Sequence, residues 1–416
     1  MPADVPGPPD PPAPGGEGPS SPPPPRHRLW TTGFVLMWAG QFLISMNFYL
    51  LMTVMALYAM DRFGTDEALA GVATSAFIVG AVLARLLTGK YMELLGRRRV
   101  LSAALVLLAL CAAAYLLDTG FWGLLVVRVL NGVGFGMATT VLPAAVQALI
   151  PAHRRGEGTG YFMLSTTLAA ALGPLVGLSL STAVGYGTLF GVCTAIALLG
   201  LAVGAFTRVP ELSLSPEQRA GLRSFSVGQF VEVRALPVSA LMLFVGVGYS
   251  AVLSFLNPFA VQVDLVGPAG AYFVAYAVTV LVSRPFAGRL QDRRGDNAVL
   301  YPSLLLFVVA LLLLAAANSP FLVLASGTVL GVGYGAVLSA AQAAAVRSAP
   351  LTRVGLSTST YFLCMDVGVA LGPVLMGAMV PALGYRGMYV AAAAVVALGL
   401  VYYATVPGAR ARRGRA

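Results

Sequence analysis

Apolar residues in this chain gather in long, nearly unbroken runs, without the strict alternation that marks half-buried strands. Six runs fall at about 31–58, 68–89, 99–117, 121–149, 157–183 and 187–206, and six more at about 236–262, 268–288, 299–317, 320–346, 356–382 and 386–407. Each is long enough to cross the roughly 30 Å of hydrocarbon in a bilayer as a helix. Lipid offers the backbone no hydrogen-bond partner, so a crossing run must close its own bonds as a helix or within a closed barrel. Without alternation a barrel is not expected, and the pattern predicts an all-α membrane protein of twelve transmembrane helices, spans 1 to 12. The only long polar interior stretch, 207–235, separates six spans from six. The expected organisation is a tail (1–28), a six-helix bundle (29–206), a linker (207–235), a second six-helix bundle (236–407) and a basic tail (408–416).

Composition agrees and charge adds an orientation. Hydrophobic residues make up 58% of the 416 and charged residues 10%, against about 25% charged in a soluble domain. The net charge of +10 does not come from a basic stripe with interleaved aromatics, so nucleic acid is not expected as a partner. Twenty-one of the 26 basic residues fall in alternate loops and the two tails, on one side of the predicted spans. The opposite loops hold only Arg62 and Arg386, and Arg85, Arg128 and Arg284 lie within spans. The positive-inside rule then predicts a cell (inner) membrane protein with both termini and the linker cytoplasmic. Residues 1–25 are rich in Pro and Gly and lack the apolar core of a secretory signal, which reads as a disordered tail. Cys111, Cys193 and Cys364 are far apart inside apolar runs with no CxxC, so neither a disulfide framework nor a metal site is expected. No nucleophile–histidine pair, phosphate loop or cofactor motif stands outside the spans, which argues against an enzyme and against a nucleotide-driven pump.

The two groups of six repeat in one register. ARLLTGKYMELLGRRRVL (84–101) aligns with SRPFAGRLQDRRGDNAVL (283–300), GVGFG (132–136) with GVGYG (331–335), Pro151 with Pro350, and ALGP (171–174) with ALGP (370–373). All of these pairs are 199 residues apart. Two parallel repeats of six spans resemble the major facilitator superfamily, specifically its twelve-span, drug:proton antiporter-like branch. The resemblance covers 29–407 and implies two pseudo-symmetric bundles around a central cavity. It further implies a monomer in the bilayer, working by alternating access on a small-molecule substrate and protons, without a cofactor.

Three motifs carry the resemblance. The loop between spans 2 and 3 reads Gly89-Lys-Tyr-Met-Glu93-Leu-Leu-Gly96-Arg97, and its second-half copy reads Gly288-Arg-Leu-Gln-Asp292-Arg293-Arg-Gly295. Glycine permits the tight turn, and a carboxylate can sit at a neighbouring helix N-terminus, where the macrodipole favours it. The expected role is a cytoplasmic latch between the bundles. The first copy has Glu93 and Leu94 where the family pattern has Asp and Arg, so a looser first-half latch is expected. The second motif, Arg128-Val-Leu-Asn131-Gly132-Val-Gly134 in span 4, places a guanidinium inside the membrane. A charge there costs at least about 2.5–3.5 kcal/mol, so it should face protein or a wet cavity. It is read as cavity lining with a part in substrate binding or proton coupling, against a structural hydrogen bond to a neighbouring helix. The third comprises Gly173-Pro174 in span 5 and Gly372-Pro373 in span 11, where proline kinks the helix and small neighbours allow close approach. It resembles the antiporter motif and implies a kinked interface between the bundles, biased toward export.

Asp366 is the acidic residue placed well inside a span, about 15 Å deep in span 11 at about 1.5 Å per residue. A lone carboxylate at that depth either pairs with a cation or keeps its proton, and both states suit a proton carrier. The alternative is a permanent ion pair, most plausibly with Arg85 on span 2, which neighbours span 11 in the resembled fold. In the first half Thr166 and Thr167 stand near the equivalent position. Arg85 and Arg284 each precede a latch glycine by four residues, and snorkelling or latch support is expected of them. Since spans 1, 4, 7 and 10 line the cavity in the resembled fold, further substrate-cavity candidates are Gln41, Asn47, Asn131, Ser250, Ser254, Asn257 and Gln342. A wall otherwise rich in Met, Phe, Tyr and Leu suits amphipathic or hydrophobic compounds and implies proton-coupled export. Proton-coupled uptake of a small organic solute is the alternative, since fold does not decide direction.

Overall fold

The computed structural model of the chain describes residues 29–212, 216 and 230–405. The tails at 1–28 and 408–416 and much of the 207–235 linker lie outside the described residues. Helices form where the apolar runs predict them. Thr32–Phe63, Glu67–Leu95, Arg97–Ala114 and Gly120–Val146 are spans 1 to 4. Leu236–Gln262, Val266–Arg294, Asn297–Ala315 and Pro320–Ser348 are spans 7 to 10. Val354–Gly377 is span 11 and Val380–Thr405 span 12. Spans 5 and 6 run on as one helical stretch, Arg155–Phe206, broken at Gly185 with φ 84°, in the left-handed region that glycine enters freely. Its mate 199 residues on, Gly384, breaks the start of span 12 at φ 66°. Gly96 and Gly295, also 199 apart, turn the two latch loops at φ 92° and 84°. The duplication seen in the sequence is therefore also a duplication of backbone breaks.

Eleven of the described helices are long and apolar enough to cross a membrane; span 3 opens on three arginines in 18 residues. The bundles pair their helices alike: span 1 on 5 and 2 on 4 in the first, 7 on 11 and 8 on 10 in the second. Close approach explains the glycines of GVGFG and GVGYG. A Cβ on Gly132 would strike the carbonyl of Phe77, and one on Gly331 would come 2.7 Å from the carbonyl of Tyr276. Outward faces carry exposed Leu110, Trp122, Val126, Phe206, Phe321 and Val374, an apolar coat that lipid, not water, covers. The two basic residues at the arginine-poor end are engaged. Arg62 pairs with Asp118, and Arg386 donates to the carbonyls of Ala315 and Ala317, both at 2.8 Å.

Candidate functional site

Between the bundles lies a cavity of about 190 Å³, lined by residues of both. Span 1 gives Gln41, whose amide donates to Ser45 Oγ at 3.2 Å and to Thr166 Oγ1 at 3.4 Å. Much of the wall is aromatic: Phe48, Tyr49 and Phe135 face Tyr249, Tyr276 and Tyr334, with the rings of Tyr249 and Tyr334 stacked at 3.9 Å. Among the described residues three charges line it: Arg85 of span 2, Arg284 of span 8 and Asp366 of span 11. Arg85 Nε lies 2.6 Å from Asp366 Oδ2, with side-chain exposures of 3% and 20%. Phe362 and Phe135 sandwich the guanidinium, their ring centres 4.9 and 5.8 Å from its carbon. This pair joins one bundle to the other across the cavity wall. Arg284 is 1% exposed and donates from Nε to Gly335 O at 3.0 Å, while its Nη1 has no hydrogen-bond partner.

The expectation for these two arginines is snorkelling or latch support. Spans 2 and 8 continue as helix past them to Leu95 and Arg294, and both arginines line the cavity between the bundles instead. The signal was available in the sequence, since the two arginines are themselves 199 residues apart.

Arg128 and Asn131 lie elsewhere. The glycine contacts that draw span 4 onto span 2 turn that face inward within the first bundle. There Arg128 Nε donates to Ala73 O at 3.0 Å and its guanidinium carbon sits 4.9 Å from the Phe77 ring. Asn131 and Asn47 border a separate void of about 20 Å³ inside the first bundle, and Asn47 Nδ2 donates to Cys193 O at 2.6 Å. Ser250 is buried under Gly372 and donates to Val247 O at 2.8 Å. Ser254 and Asn257 are exposed on span 7, outside the cavity lining, and Gln342 is fully buried outside it. Of the polar cavity positions expected from the sequence, Gln41 and its neighbour on the same face of span 1, Ser45, line it and the others do not, because periodicity gives the spacing on a helix but not its rotation. The Gly-Pro elements also sit differently from expectation. Gly173, beside Pro174, packs on Tyr49 and Leu50 of span 1, and Gly372, beside Pro373, packs on Ser250 and Val247 of span 7. Both are contacts within a bundle, not between bundles.

At the arginine-rich end the bundles meet through both loop copies. Asp292 accepts from the backbone N–H of Gly156 at 2.6 Å and of Glu157 at 2.8 Å, at the N-terminus of span 5. Gly288 leaves room for that approach, since a Cβ there would come 2.7 Å from Gly156 O. Glu157 in turn takes Arg154 at 2.7 Å and Arg289 at 2.9 Å, while Arg293 is exposed beside them. In the first copy Gly89 meets Ser359 of span 11, whose hydroxyl donates to Arg85 O at 2.7 Å. Its Glu93, by contrast, receives Arg97 of its own loop, from Nη2 at 2.6 Å and Nε at 3.0 Å.

A bundle of membrane-length helices in two halves around one cavity, mainly apolar with three charges on its wall, is the architecture of a solute carrier. The family model of the Major Facilitator Superfamily matches residues 37–274 and 266–416, and the chain belongs to that superfamily. It is a membrane transporter and not an enzyme. It is 27% identical over 386 residues to multidrug resistance protein MdtG of Dickeya zeae (strain Ech586), covering 90% of this chain and 94% of the relative. Its identity to the MdtG of Proteus mirabilis (strain HI4320) is 26% over 392 residues, covering 91% and 96%. Solved structures share the fold. FucP in the outward conformation superposes with a TM-score of 0.74 at 19% identity, over 90% of this chain and 98% of that one. The human organic anion transporter MFSD10 (TETRAN) does so at 0.71 and 20%, over 91% and 99%.

Proposed function

We propose that the chain is a proton-coupled secondary transporter of a cell (inner) membrane that exports small amphipathic or hydrophobic compounds by alternating access. The observation that carries this reading is the Arg85–Asp366 pair, 2.6 Å across the junction of the two bundles on the cavity wall. An ion pair there holds the bundles together. A proton on Asp366 cancels the charge that holds Arg85 and loosens the junction, so proton occupancy and bundle geometry are linked. The relatives named for multidrug resistance support export, as does a wall that is mainly aromatic and apolar, which suits compounds needing few fixed polar contacts. Basic residues concentrated at one end support placing that end in the cytoplasm. The loop contacts then form the closed cytoplasmic side.

Everted vesicles or proteoliposomes under an imposed pH gradient test this with a fluorescent efflux substrate. The gradient should drive transport by the wild-type protein and not by Asp366→Asn, which should still insert and bind. Gradient-driven transport retained in Asp366→Asn would overturn the coupling role, and accumulation in the reverse direction would overturn export.

A further inference from the structure

The three charges on the cavity wall do not balance. Two guanidiniums and one carboxylate leave a net charge of +1 in its lining. The pseudo-symmetry shows where the missing charge belongs. Arg85 and Arg284 are equivalent under the 199-residue repeat, and Asp366, the partner of Arg85, is equivalent to Thr167 of span 5. Thr167 lines the same cavity and donates its hydroxyl to Met163 O at 3.3 Å. One half therefore holds an arginine with its acid, and the other an arginine with a threonine of the same cavity wall at the position equivalent to the acid. No carboxylate among the described residues pairs with Arg284 within 4.0 Å, and its Nη1 is buried without a hydrogen-bond partner. A buried, unneutralised guanidinium is costly unless something completes it.

We infer that the cavity binds amphipathic organic anions, whose carboxylate, sulfonate or phosphonate head sits on Arg284 in the place the repeat reserves for an acid at position 167. The surroundings fit such a molecule. Tyr249, Tyr276 and Tyr334 bring rings and hydroxyls to the same wall, and tyrosine offers an apolar body with a polar tip. The head completes a charge-assisted pair, and the apolar body lies against the rings. Asp366 stays with Arg85, so the proton site, the Asp366 carboxylate, and the anion site, Arg284, are separate groups on the two halves of the cavity wall. This deepens the transport reading by naming the substrate class at that cavity. Binding, however, is measured without transport, so the two readings fail independently.

The test uses three probes with one naphthalene body: 1-naphthaleneacetate, its neutral amide, and the 1-naphthylmethyl-trimethylammonium cation. Binding to the full chain in phosphatidylcholine nanodiscs is read by calorimetry at neutral pH. The anion should bind at least roughly tenfold tighter than the amide, as one hydrogen-bonded buried charge pair implies, and the cation weakest. Arg284→Gln should erase the preference and Arg284→Lys should keep part of it. Thr167→Asp should also erase it, by supplying the acid within the protein, whereas Thr167→Asn should not. An amide or cation bound as tightly as the anion by the wild-type protein would overturn the inference, and this ranking decides even if Arg284→Gln does not fold. A preference that survives Thr167→Asp and Arg284→Gln would overturn it as well. Anionic lipid is the rival source of the same chemistry. An apparent Kd independent of added phosphatidylglycerol assigns the site to the free solute, and one that rises with it overturns that assignment in favour of a lipid headgroup.

Discussion

The two loop copies at the arginine-rich end share a glycine–acid–glycine spacing, yet their acids do different work. Asp292 reaches across to the other bundle and takes two backbone N–H groups at the start of span 5. Glu93, one methylene longer and four residues before an arginine, takes its hydrogen bonds from Arg97 of its own loop, although it too lies against the start of span 11 at Gly355. The glycines behave alike in both copies, since each answers to a backbone constraint: a positive φ at Gly96 and Gly295, a close approach at Gly89 and Gly288. Duplication has kept what the backbone demands and let the side-chain chemistry diverge. The arginines of the cavity repeat that lesson, with Arg85 paired to an acid and Arg284 not.

The sharpest way to break the comparison is to remove each arginine in turn. Arg85→Gln strands Asp366 beside the cavity, and loss of one member of a buried pair costs up to about 3–5 kcal/mol, here eased by protonation of the acid. A clear fall in melting temperature is expected, largely restored in Arg85→Gln/Asp366→Asn. Arg284→Gln removes a buried charge that no acid offsets, so its melting temperature should stay at or above the wild-type value. Equal losses at both positions would refute the asymmetry.

A smaller effect is expected at the latches. Asp292→Asn weakens two charge-assisted bonds at a helix N-terminus, worth about 1–2 kcal/mol together. Amide exchange at Gly156 and Glu157 should accelerate accordingly by hydrogen-exchange mass spectrometry. Glu93→Gln should leave exchange at the start of span 11 nearly unchanged, because its carboxylate is held by Arg97. Faster exchange at 355–356 in that variant would show that the first copy also latches across the bundles.

The smallest expected effect concerns the linker. Glu211 accepts from the N–H groups of Arg97 and Arg98, both at 2.9 Å, at the N-terminus of span 3. Glu211→Gln should cost about 0.3–1 kcal/mol, read as a shift in melting temperature of a degree or two that shrinks in high salt. No shift at low salt would mean that the cap contributes nothing.

Much of the scaffold was legible before any coordinates. Membrane-length apolar runs, the glycine turns and the 199-residue register appear as helices, breaks and paired bundles, because each follows from a local or periodic demand on the chain. The site was legible only in part. Asp366 is conspicuous as an acid deep in an apolar run, and it stands on the cavity wall beside Arg85. Arg128 looked like the cavity cation and is packed against a carbonyl of span 2 instead. Arg85 and Arg284 looked like boundary residues and carry the cavity charge. A helix's rotation about its axis is decided by which neighbour its small residues meet, and Gly132 and Gly136 meet span 2 through contacts far apart in the chain.

The sequence by itself determined the class of structure and its duplication, since hydrocarbon thickness and backbone hydrogen bonding leave little freedom to an apolar run. It also determined where the repeat is broken, at Asp366 against Thr167. Only the tertiary structure decided that both arginines line one cavity and that Arg85 is the one of the two with an acid beside it, because that acid comes from a span of the other bundle. Local chemistry cannot announce a pairing of that kind, which exists only once two bundles close around one cavity.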